Sequence, residues 1–232
     1  MANARNHRAL SLEAVAGRIS KVLGDNHKTG QQLQAEVTRL SRAADALDRL
    51  NQTRNPLDTP AAHAMKVAKS ARTFSQEVTA TFNRAVKVWG AAYGDLQARI
   101  IDKTNLRPDA FAGEIRAAFR TMSSKQKMDL IQELIEENRG PELAAIVKAP
   151  SILTGISEEQ KQSYEKSFVA RHASAELDEL AKLEETWSAV LAATNVGADF
   201  AADLTNPAKL SAIETAAATA DAAGEAFNQA LQ

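Results

Sequence analysis

A rhythm constrains this chain more than any other feature of its sequence. From Ala68 through Ala71, Ser75, Val78, Phe82, Ala85, Trp89, Tyr93 and Leu96 to Ile100, apolar or small residues recur at steps of three and four, and no proline falls between Pro60 and Pro108. That spacing is the period of one face of an α-helix. It predicts a helix over about 60–103, roughly 65 Å long at 1.5 Å per residue. A helix of that length cannot be wrapped inside a compact globule built from 232 residues, so the expected molecule is an elongated helical bundle.

The rest of the chain repeats the pattern in shorter pieces. Leu12, Val15, Ala16, Ile19, Val22 and Leu23 share one face behind Ser11, a residue suited to an N-cap, which predicts a first helix over about 11–23. Gly24, Asp25 and Asn26 supply its stop. Leu33, Val37, Leu40, Ala44 and Leu47 then form a heptad seam on a second helix over about 29–50. Asn55-Pro56 and Thr59-Pro60 mark a loop, with Pro60 at the first position of the long helix.

Beyond Pro108 the expected helices cover about 108–122, 124–139, 141–148, 158–194, 197–204 and 207–231. Ser123 with Gln126 and Ser157 with Gln160 have the spacing of capping boxes. Gly140-Pro141 reads as a stop, and the stretch from Pro150 to Gly155 as irregular. The helix over 158–194, through Tyr164, Phe168, Leu177, Leu180, Trp187 and Leu191, is the second long one and ends near Asn195. Leu210, Ile213, Ala217, Ala220, Gly224, Phe227 and Leu231 carry the last seam. No segment shows the two-residue alternation of a strand, so the fold class is all-α.

Charge is divided along the chain. Residues 1–107 hold 17 Lys and Arg against 9 Asp and Glu, and residues 108–232 hold 11 against 20. This marks a basic helical segment, 1–107, and an acidic one, 108–232, which can also form one continuous domain. Opposite charge can steer one long helix onto the other, orient subunits head to tail, or offer a basic face to a polyanion. Arg42 and Arg49, one heptad apart, and Lys66, Lys69 and Arg72 are the candidates for a polyanion-binding face such as a nucleic acid would use.

Chemistry is harder to find. With no cysteine there is no thiolate nucleophile and no Cys-ligated metal. His7, His27, His63 and His172 are scattered outside any metal-binding spacing, so neither a metal nor a cofactor is expected. Lys28-Thr29 before a helix resembles a phosphate loop, but His27 stands where that motif needs glycine. Glu136-Glu137, Glu158-Glu159 and Glu184-Glu185 are read as solvated helix faces.

Two glycines inside a helix cost about 1 kcal/mol each relative to alanine. Trp89, Gly90, Tyr93 and Gly94 therefore mark a helix-contact site where another helix comes close. The N-terminus lacks the apolar core of a secretory signal, and no run reaches the roughly 18 apolar residues of a membrane span, so a cytoplasmic product is expected.

The function expected from these features is a non-enzymatic helical structural or assembly protein that binds protein partners or self-associates. Bacteriophage virion, scaffold and internal head components are chains of this kind. Two alternatives stand beside it, a polyanion-binding helical protein that uses the basic N-terminal half and an enzyme with an unfamiliar helical active site.

Overall fold

The computed structural model describes residues 3–230, with side chains over 12–208 and at part of 210–226. Ten helices and no strand occupy the described residues: α1 Asn3–Leu23, α2 Lys28–Gln52, α3 Pro60–Thr104, α4 Ala112–Thr121, α5 Ser124–Glu136, α6 Gly140–Val147, α7 Ser151–Thr154, α8 Glu158–His172, α9 Ser174–Leu204 and α10 Pro207–Ala230. They group into two compact units, the described residues of Met1–Gly90 with Glu184–Gln232, and Ala91–Leu183. The change of charge at residue 107 falls inside the second.

In the first unit the expected seams face a shared core. Leu12, Ala16 and Ile19 of α1 and Leu33, Val37, Leu40, Ala44 and Leu47 of α2 are buried together with Ala71, Phe74, Val78 and Ala85 of α3 and Ala189, Val190, Ala193 and Ala201 of α9. Each large member contributes about 1.5–3 kcal/mol by leaving water. On α3 the buried stripe includes Phe74, whose ring meets Phe200 edge-on at 5.9 Å, while Ser75 is exposed. Both fit a three-four step, and Phe74 removes far more apolar area from water.

The turns follow their local chemistry. Gly24 ends α1 at φ +86°, a conformation costly for residues with a Cβ. The Thr59 hydroxyl accepts from the Ala62 amide at 3.1 Å, which caps α3 behind Pro60. α1 begins at Asn3, so Ser11 lies within it and does not start it. On α10 the side chains of Ala217, Gly224 and Phe227, and all of Leu231, lie outside the described residues.

The segment expected as one helix over 158–194 is two, with α8 ending at His172 and Ala173 out of helical geometry at φ −134°, ψ 34°. α9 then continues through Asn195 to Leu204, and the expected stop and short helix over 197–204 are absent. The reason is packing. A Cβ on Gly197 would sit 3.0 Å from Val78 Cγ2 and 3.4 Å from Leu40 Cδ2, so this glycine permits close approach and does not end a helix.

The second unit is built from short pieces around Phe119, Ile131, Leu134, Leu143, Ile146, Val147, Ile156 and Phe168. At its centre is α6, buried at Gly140 and throughout Leu143–Val147, as befits a helix apolar on every side. Ser123 with Gln126 and Ser157 with Gln160 form both reciprocal bonds of a capping box. α4 begins at Ala112, because Asp109 instead accepts from the Phe111 amide in a turn. α5 ends at Glu136, before Asn138 at φ 57°, so Gly140-Pro141 opens α6 where the sequence suggests a stop. Residues 151–154, expected as irregular, form the single turn of α7, closed by left-handed Gly155.

Candidate functional site

Trp89 lies in the first unit and stacks on Trp187, with ring centroids 5.1 Å apart and planes inclined by 25°. Phe82 meets the same Trp187 at 5.9 Å. Tyr93, in the second unit, is half-buried. The glycines differ from expectation: a Cβ on Gly90 or on Gly94 would meet no atom within 4 Å, so neither marks the close approach of a helix. Gly197 and Gly140 do. A Cβ on Gly140 would stand 1.9 Å from the Thr104 carbonyl oxygen, which places the start of α6 directly on the end of α3.

Arg42, Arg49, Lys66, Lys69 and Arg72 are all exposed on α2 and α3 of the first unit. None of the five forms an ion pair among the described residues, whereas Arg18, Arg84, Arg99, Lys103, Arg139, Lys148 and Lys161 each meet a carboxylate. Arg84 binds Glu36 at 2.8 Å and Glu77 at 2.7 Å, and these bonds, Glu36 first, raise its pKa above the ordinary guanidinium value. In folded form the charge division largely cancels. Residues 1–90 hold 14 basic against 7 acidic side chains, and the 184–232 segment that joins them holds 1 against 7.

In the second unit a groove of about 350 Å³ lies between α5 and α8. Met128, Ile131 and Ile135 form its floor at i, i+3 and i+7 of α5, and Tyr164 joins them from α8. Asp129 and Glu136 edge the α5 side and Arg171 the α8 side. Met128 is 65% exposed, an apolar lining side chain left in water. His172 bonds the Ile135 carbonyl and so ties the C-terminus of α8 to α5. Sequence periodicity shows the apolar stripe on α5 but not which part of it the neighbouring helices leave uncovered.

A polar cluster surrounds Lys161. Its side chain is 3% exposed, and its ammonium donates to the Ala149 carbonyl, to Ser151 Oγ at 3.0 Å and to Glu158 Oε1 at 2.8 Å, while the Ser151 hydroxyl also donates to Glu158. Lys161 first, then Ser151, hold the Glu158 carboxyl below its ordinary pKa. All three ammonium protons have acceptors, so this lysine pins α8 to α7 and to the segment that follows α6. Nothing in the periodicity singles it out, because lysine on a helix is ordinarily solvent-facing.

Among the described residues no group of three or more His, Asp or Glu side chains is placed to hold a metal ion, and no helix is long and apolar enough to cross a membrane. No protein-family model, curated protein or solved structure matches this chain.

Proposed function

We propose that this chain is a non-enzymatic helical assembly protein that seats the apolar face of a partner helix in the α5–α8 groove. The observation that carries this reading is the groove itself, an apolar floor of Met128, Ile131, Ile135 and Tyr164 between charged edges. The stretch of α5 from Met128 to Ile135 presents about 10 Å of it, the length of two helical turns. A helix laid there covers the exposed Met128, and its own polar residues meet Asp129, Glu136 and Arg171. The same reading accommodates a bacteriophage virion, scaffold or internal head component made in the cytoplasm.

Light scattering coupled to size-exclusion chromatography, on the chain alone and with proteins of its native assembly, tests the proposal. The expected result is a defined oligomer or a stoichiometric complex that Met128→Glu with Ile135→Glu abolishes while helix content is kept. A strict monomer under both conditions, or a complex indifferent to those substitutions, overturns it.

A further inference from the structure

The exposed cations of α2 and α3 are arranged around apolar side chains that the first unit leaves in water. The Arg84–Glu36 ion pair and the hydrogen bond from His63 to the Asn51 carbonyl set α2 and α3 antiparallel, as a hairpin closed by residues 53–59. In that register Arg49 comes level with Lys66. At 100° per residue, Arg42 and Arg49 lie opposite the buried seam of α2, and Met65, Lys69 and Arg72 lie opposite the buried stripe of α3. The outer face of the hairpin is therefore basic, with Met65, 43% exposed, within it.

The tip continues this character. Asn55 accepts from the Leu57 amide at 3.0 Å, and the Asp58 amide donates to the Asn55 carbonyl at 2.9 Å, so the loop is a formed turn. That turn holds Leu57 at 91% exposure beside exposed Arg54. The acids of the same stretch, Asp45, Asp48 and Asp58, are half-buried, and Gln52 donates to Asp48. Positive charge therefore dominates what the surface offers.

We propose that the outer face and tip of the α2–α3 hairpin dock peripherally on an anionic lipid surface, with Leu57 and Met65 entering the headgroup layer and the surrounding Lys and Arg meeting lipid phosphates. Charge complementarity selects an anionic partner. The apolar pair selects lipid over nucleic acid, because each gains by leaving water for the interface and neither reads a base. Residues 28–73 contain no Phe, Tyr or Trp on which a base would stack.

The test is co-sedimentation of the full chain with phosphatidylcholine vesicles and with phosphatidylcholine–phosphatidylserine vesicles, at low and high salt, beside a duplex DNA titration. Binding is expected to the anionic vesicles alone and to fall with salt. Lys66→Glu with Lys69→Glu should weaken it by at least about tenfold, and Leu57→Ser by about threefold. Lys125→Glu, an exposed reversal in the second unit, should leave it unchanged. Circular dichroism confirms that each variant keeps its helices. Absence of binding to anionic vesicles overturns the proposal, as does binding that ignores the hairpin substitutions. Duplex DNA binding that depends on Lys66 and Lys69 but not on Leu57, without vesicle binding, assigns the face to nucleic acid instead.

Discussion

The two units solve the same problem, burying the apolar faces of helices, by different means. In the first, α2 runs 25 residues and its seam of Leu33, Val37, Leu40, Ala44 and Leu47 meets partners of the same period. In the second, α4 to α8 run between 4 and 15 residues, too short for a heptad seam to define the packing. There the chain relies on closures: two capping boxes, a glycine against a carbonyl and a buried lysine on three acceptors. Periodic burial tolerates local change because many contacts share the load. A closure depends on one or two atoms.

The sharpest break in the comparison is expected at Gly140. With a Cβ 1.9 Å from the Thr104 oxygen, Gly140→Ala must displace α6 from the end of α3 and should destabilise the second unit by about 4 kcal/mol or more. Urea unfolding with hydrogen exchange on α4–α6 peptides measures it. A loss under about 1 kcal/mol would show that α6 shifts freely.

Next in size is Lys161→Met, which keeps the volume and removes the donors. It strands the Ala149 carbonyl while leaving Glu158, 67% exposed, to water, so a loss of about 2 kcal/mol is expected in the same experiment. If the variant equals the parent, the pin is incidental.

Acid should act on the second unit through four carboxyls that the fold holds below their ordinary value of 4.5. Burial pushes Glu142 up, but bonds from Arg139 and its own amide outweigh that. Lys161 lowers Glu158, Glu159's own amide lowers Glu159, and Lys103 lowers Glu176. A depressed folded pKa contributes stability above the unfolded value and loses it as pH falls through the folded one. Melting temperature followed at Tyr93 and Tyr164, both in the second unit, should therefore drop as pH is lowered below 4.5. A flat profile there would remove these carboxyls from the account.

The smallest effects separate glycines by sign. Gly90→Ala and Gly94→Ala open no clash, so each should stabilise α3 by about 0.5–1 kcal/mol through helix propensity. Gly197→Ala gains the same propensity but presses on Val78 at 3.0 Å, and the net change should be a loss of about 1 kcal/mol. Thermal melts of the three variants decide it. A shared sign would mean that the first unit packs too loosely around Gly197 for its size to matter.

Much of this was legible in the residues. The all-α class, the long α3, the α2 seam and both capping boxes follow from interactions within one helix, whose partners lie three or four residues apart. Sequence and structure part where the deciding partner is distant in sequence. Gly90 and Gly94 read as contact glycines because each costs helix propensity, yet they face open space, while Gly197, just past the expected helix end near Asn195, is a contact. The helix expected over 158–194 hid a break at Ala173 because its apolar spacing continues across it. The basic residues were identifiable as charges, but their lack of carboxylate partners was not.

The sequence by itself determined that this chain forms helices, where most of them are capped and which faces avoid water, because those choices depend on local dihedral preference and on periods of three and four. Only the tertiary structure decided which glycines admit a neighbour and which lysine is buried, which apolar stripe is left open between α5 and α8, and which cations find no carboxylate. Each of these depends on atoms brought together from remote parts of the chain, and helical periodicity carries no information about that distance.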